Sequence, residues 1–108
     1  MQSFRRAAAV LLVVAATTQV GAAGDHVVSQ RGKEFFPKKM VVRAGERVTF
    51  TNDDPFAHNV FSLSDAKSFD LGSYGQGQAK SVRMDKPGIV EVECAVHPDM
   101  RMVIEVQQ

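Results

Sequence analysis

Hydrophobic and polar residues alternate with a period of two along much of the chain, as expected for strands with one buried face. The clearest run is Arg47–Asn52, where Val48 and Phe50 are expected to face inward and Arg47, Thr49 and Thr51 outward. Ile89–Cys94 repeats the pattern, with Val90, Val92 and Cys94 on one face and Glu91 and Glu93 on the other. Met102–Val106 closes the chain with Met102, Ile104 and Val106 inward. His26–Gln30, Met40–Arg43, His58–Ser62 and Ala79–Met84 read as further short strands.

Turn signals separate these runs at Ala44-Gly45-Glu46, Asn52-Asp53-Asp54-Pro55 and Asp85-Lys86-Pro87-Gly88. Leu63–Gly77 is polar and glycine-rich, and reads as a surface excursion that packs Phe69 and Leu71. Phe35 and Phe36 are expected to plug one end of a core, with Pro37 marking an edge or a strand change. His26 is expected on the solvated surface. Helical periodicity and internal repeats are both missing. About seven short strands with turns between them predict an all-β, two-sheet Greek-key sandwich.

The N-terminus departs from this pattern. Arg5 and Arg6 precede an apolar run, Ala7–Ala16, too short to span a bilayer, and Gly21, Ala22 and Ala23 follow as small residues. Residues 1–23 are therefore expected to be a cleaved signal peptide, by the Sec or the twin-arginine route. Residues 24–108 form one domain with no membrane span after cleavage. Removing 23 of 108 residues leaves 85, with 11 basic residues (13 less Arg5 and Arg6) against 12 acidic ones, a formal net charge of −1. That balance excludes a nucleic-acid binder and a disordered tail. An exported domain this small would benefit from a staple. Cys94 is the sole cysteine, so an internal disulfide is excluded and a ligand role comes forward.

Cys94-Ala-Val-His97-Pro-Asp-Met100-Arg-Met102 offers a thiolate, an imidazole and thioethers within nine residues. Soft sulfur beside imidazole suits copper cycling between its two oxidation states, whereas zinc more often recruits a second cysteine or a carboxylate. A trigonal copper site of this kind takes two histidines and one cysteine. His58, at the loop end of its strand, is the candidate for the second histidine. Each residue alone reads more simply as a small buried hydrophobe, a surface histidine or core filler; their spacing and coincidence favour a metal site.

With these residues in view, the chain resembles the small blue copper proteins, the cupredoxins of the plastocyanin, amicyanin and pseudoazurin group. The resemblance covers roughly residues 33–106. It is carried by Phe36-Pro37, Val42-x-x-Gly45-Glu46-x-Val48-x-Phe50-x-Asn52-x-Asp54, His58-Asn59-Val60, Pro87-Gly88 and Cys94-x-x-His97-Pro98-x-Met100. It implies one copper ion per chain (Cu+/Cu2+), with His58, Cys94 and His97 equatorial and a methionine axial. Asn59 would tether the two ligand loops. Met100 is expected to be axial, in an amicyanin-like run, and Met102 is the alternative. Ala57 stands where these proteins often have proline, and no C-terminal helical extension of the pseudoazurin kind is present.

The resemblance further implies a monomeric periplasmic electron carrier that is not an enzyme. Its transient redox partner would be a cytochrome, dehydrogenase or oxidase, with no nucleic acid involved. His97 is expected at a loop tip as the electron's door, rimmed by Phe56, Ala57 and Pro98, and no spare carboxylate is expected near the motif. Lys33, Lys38 and Lys39 read as a solvated edge, or as a basic docking patch. A copper carrier or resistance protein with the same ligands is the alternative, as is a metal-free interaction module.

Overall fold

Nine strands account for most of residues 24–108, the part of the chain that the computed structural model describes. The expected signal peptide lies outside the described residues. The strands are β1 (Asp25–Arg31), β2 (Glu34–Phe36), β3 (Lys39–Arg43), β4 (Glu46–Asn52), β5 (His58–Ser64), β6 (Lys67–Tyr74), β7 (Ala79–Met84), β8 (Gly88–Cys94) and β9 (His97–Gln107). They form a four-stranded sheet in the order β2-β1-β4-β7 and a five-stranded sheet in the order β3-β9-β8-β5-β6. Among the described residues no helix is long and apolar enough to cross a membrane.

The expected all-β sandwich is present, with nine strands where about seven were expected. The largest difference is β6, which occupies the stretch read as an irregular excursion and pairs antiparallel with β5. It alternates only from Lys67 to Leu71, with Phe69 and Leu71 packed on the core and Ser68 and Asp70 exposed, and the period breaks at Gly72 (φ 76°), where the pairing with β5 slips register. β9 also begins earlier than expected, at His97 instead of Met102.

The core is built by the period-two residues: Val48 and Phe50 from β4, Val90, Val92 and Cys94 from β8, and Met102, Ile104 and Val106 from β9 are all buried. Phe35 and Phe50 meet edge to face, with ring centroids 6.3 Å apart, a geometry worth about 1 kcal/mol beyond the area buried. Phe36, expected to share the plug, is exposed, because it falls on the opposite face of the short β2 strand. Pro37 stands where the chain leaves the four-stranded sheet for the five-stranded one, the strand change expected of it. His26 is part-buried, and its Nε2 lies 2.8 Å from Glu46 Oε1, so it is less solvated than expected.

Two features of this topology place the site. β5 and β8 are neighbours in the five-stranded sheet, with Val60 opposite Cys94, which sets the start of β5 beside the end of β8. β8 and β9 join through the two-residue turn Ala95-Val96, with Cys94 paired to His97. His58 and Cys94, 36 positions apart in sequence, therefore meet at one end of the sandwich through strand pairing.

Candidate metal centre

His58, Cys94 and His97 converge, with ligand-type atoms of all three within 4.8 Å of one another. His58 Nδ1 lies 3.6 Å from Cys94 Sγ, and His97 Nδ1 lies 3.7 Å from it. A first-row metal about 2.0 Å from nitrogen and about 2.3 Å from sulfur, with trigonal angles, would hold these atoms roughly 3.7 Å apart. The donor set fits a metal held by two imidazoles and a thiolate. Soft thiolate with imidazole is the combination that copper takes readily.

Each donor is positioned differently. His58 is the first residue of β5 and is fully buried, although a strand mouth usually leaves a histidine wet. The Asp54 carboxylate accounts for it, with Oδ2 2.7 Å from His58 Nε2. Burial pushes the Asp54 carboxyl up, but hydrogen bonds from His58, Lys33 N–H and Gly32 N–H outweigh it and hold its pKa below the ordinary value. An ionised carboxylate only accepts, so Nε2 carries the proton and the Nδ1 lone pair is left facing the sulfur.

Asp54 thus lies against the motif, where no spare carboxylate was expected; in sequence it reads only as part of a turn. A carboxylate four residues before the histidine is the signal that could have found it. Asn52 builds the loop between them, donating from Nδ2 to the carbonyls of Phe56 and Tyr74 and accepting Asp54 N–H on its side-chain oxygen.

Cys94 ends β8 with its thiol inward and buried, and Asn59 N–H approaches Sγ at 3.5 Å. Ala95 N–H donates to the Asn59 carbonyl at 3.0 Å. The link between the two ligand segments therefore runs through the Asn59 backbone, and its side chain reaches Asp70 on β6 at 3.4 Å. His97 is half-buried at the start of β9, just past the turn instead of at a loop tip. Desolvation, with the neighbouring His58 and Lys33 charges, lowers its pKa below 6.5, and Asp54 opposes this.

Met100 and Met102 both face inward, at 1% and 2% exposure. The ladder separates them. Cys94 pairs with His97 and Glu93 with Arg101, so one step along β8 spans four along β9, and residues 98, 99 and 100 bulge out of register. Met100 sits in that bulge next to the ligands. Met102 sits regularly opposite Val92, inside the core.

Phe56 caps the cluster, its ring 5.5 Å from His58 and 5.6 Å from His97. It is 38% exposed, and Val96, which was not expected in the rim, is 60% exposed beside the exposed Ala57 and Pro98. A hollow of about 580 Å³ is lined by Ser64, Asp65, Pro87 and Gly88, far from this chemistry, at the other end of β5 from His58. The side chains exposed around the His58–Cys94–His97 cluster, Phe56, Ala57, Val96 and Pro98, are apolar.

Comparison with known proteins agrees with this geometry. The family described as copper binding proteins, plastocyanin/azurin family, matches residues 22–107. Plastocyanin of the green alga Ulva arasakii is 32% identical over 84 residues, covering 68% of this chain and 86% of that protein. Chloroplastic plastocyanin of Physcomitrium patens is 36% identical over 72 residues, covering 58% of this chain but 43% of that longer protein. Among solved structures, a reduced amicyanin variant superposes with a TM-score of 0.70 at 25% identity, covering 78% of this chain and 83% of that one. A copper-containing nitrite reductase from Thermus scotoductus SA-01 gives 0.73 at 25% identity, with 78% of this chain matching 22% of the enzyme.

Proposed function

Since the chain belongs to the plastocyanin/azurin family of copper-binding proteins, we propose that it is an exported one-electron carrier, working between redox partners in the periplasm. The single observation that carries this reading is the convergence of His58, Cys94 and His97 beside the exposed apolar side chains of Phe56 and Val96. In this reading one copper ion would be held by His58, Cys94 and His97, with the Met100 thioether as the fourth donor. Bound copper supplies a site that exchanges one electron between Cu(I) and Cu(II).

The protein's own residues supply the rest. Asp54 fixes the His58 ring, and the Asn59 N–H approaches the thiolate. Cys94 and His97 are held by adjacent ladder positions across a two-residue turn. Such fixed donors let the electron move with little rearrangement. Phe56 and the turn shield the site from bulk water, and the half-buried His97 gives the shortest path to a docked partner.

An enzymatic role is disfavoured because the nitrite reductase likeness covers under a quarter of that enzyme. A monomer, a signal peptide over residues 1–23, and a cytochrome, dehydrogenase or oxidase as partner complete the proposal. Repeated electrochemical cycling with a strong copper(I) chelator present tests it. An electron carrier keeps its copper and passes one electron per cycle. Transfer of the copper to the chelator within a few cycles would contradict the proposal and identify a copper carrier.

A further inference from the structure

The β1–β2 hairpin turn touches the metal centre through two separate contacts, one at Asp54 and one at Phe56. Gly32 and Lys33 occupy the two central positions with φ of 64° and 61°, as a tight two-residue hairpin turn requires. Glycine takes this conformation without cost, whereas a lysine is strained by it. Asp54 compensates: its carboxylate accepts Gly32 N–H at 2.6 Å and Lys33 N–H at 3.1 Å while it holds His58. One buried carboxylate thus fastens both a copper ligand and this turn.

The turn carries two cations and sets each against an aromatic ring. Lys33 Nζ lies 5.8 Å from the centre of Phe56, the ring that caps both histidines, and Arg31 lies 5.5 Å from the centre of Phe36. Among the described residues neither makes an ion pair, whereas Lys38, Lys67 and Arg101 each pair with a carboxylate. Asp53, one residue before Asp54, is exposed. The described domain has no net positive charge to attract anions generally.

We propose that Arg31 and Lys33 form a cationic docking element at the edge of the apolar surface, and that it selects a redox partner presenting a cluster of carboxylates beside its own electron entry point. This rests on the electron-carrier reading. Two cations are fewer than the four to eight that mark a membrane-surface or anionic-lipid patch, and each lies over an exposed aromatic ring, Lys33 over Phe56 and Arg31 over Phe36. An acidic protein face with an apolar centre matches both features.

Stopped-flow oxidation of the reduced, copper-loaded protein tests this at low ionic strength, where charges act over about 30 Å. The reduced protein passes one electron to ferricyanide, giving ferrocyanide while the copper goes from +1 to +2, with no proton transferred. We expect the rate to fall as salt is added, and a glutamate-rich peptide to slow it. The double variant Arg31→Glu/Lys33→Glu should react about tenfold more slowly, ignore the peptide, and react faster with the cationic oxidant tris(phenanthroline)cobalt(III). The milder Arg31→Gln/Lys33→Asn, whose asparagine tolerates the left-handed turn, should fall in between.

The visible band of the loaded protein reports that each variant is folded. Rates unaffected by the substitutions, with both oxidants still reacting, would overturn this inference and leave the electron-carrier reading standing. Failure of the wild type to react with either oxidant would overturn both. Binding to phosphatidylserine vesicles that the double variant loses would assign the turn to a membrane surface and also overturn the proposal.

Discussion

The two histidines of the centre are 5.0 Å apart between ring centroids, yet the protein holds them in opposite ways. His58 is fully buried, starts a strand flanked on both sides by β8 and β6 in the five-stranded sheet, and is fixed by a carboxylate. His97 is half-buried on a hairpin shoulder, and its side-chain polar contact is with Cys94, at 3.7 Å. One side of the centre is an anchor and the other an opening. A carrier needs both, since the anchor limits rearrangement and the opening shortens the path to a partner.

Removing each ring breaks the comparison most directly. His97→Gly should leave a hole open to solvent that added imidazole fills, restoring the visible band. His58→Gly should not be rescued, because its hole is closed and the Asp54 carboxylate is left buried without its partner. Rescue of both variants, followed by absorbance during an imidazole titration, would show that the two sides are equivalent.

Asp54→Ala attacks the anchor alone. It leaves the His58 N–H unsatisfied and frees the Gly32 and Lys33 amides, so a loss of about 2–3 kcal/mol is expected by denaturant unfolding of the apo-protein, with weaker copper binding besides. A loss within ~0.5 kcal/mol would mean that the carboxylate anchors nothing.

Acid should act on the open side. In the reduced protein a proton competes with copper for His97, and its release favours Cu(I), so the potential should rise as pH falls. Burial and the neighbouring His58 and Lys33 charges already lower the His97 pKa, so the rise should begin below pH 6.5. The same lowering gives the apo-protein a matching trend. Above 6.5 the ring is neutral both folded and unfolded, whereas below it the unfolded chain binds the proton first. Stability should therefore decline as pH falls from 6.5 toward the folded pKa. Asp54 adds to the loss in stronger acid, because its folded pKa lies below 3.8 and its contribution disappears as pH falls through that lower value. A potential that stays flat until unfolding would contradict the assignment of His97 as the exposed ligand.

The two methionines give the smallest effect. Met100→Leu should shift the potential and the visible spectrum, since Met100 lies in the bulge beside the ligands. Met102→Leu, opposite Val92, should change stability by less than ~1.5 kcal/mol and leave the spectrum alone. The reverse pattern would make Met102 the axial ligand.

What the sequence reveals follows the same division. Strands with one buried face announce themselves by parity, so β4, β8 and the inward turn of Cys94 are legible in Val48, Phe50, Val90 and Val92. β6 alternates only from Lys67 to Leu71 before the irregularity at Gly72, a run too short and too polar to stand out. The donor residues are legible because cysteine, histidine and methionine are scarce and closely spaced. Their supports are not. Asp54 and the Asn59 backbone act through contacts between elements, and an aspartate in a turn looks the same whether or not it holds a histidine. The burial of Gln30 and its bond to Tyr74 OH, 44 residues away, are invisible for the same reason.

Whether His58, Cys94 and His97 together hold one copper with a bonded thiolate is read by titrating copper(II) into the purified apo-protein while recording visible absorption. An intense thiolate-to-copper band is expected that grows to one equivalent, bleaches on one-electron reduction, and is missing in Cys94→Ser even where copper still binds. A wild-type protein that takes up copper and stays colourless under oxidation would contradict that assignment.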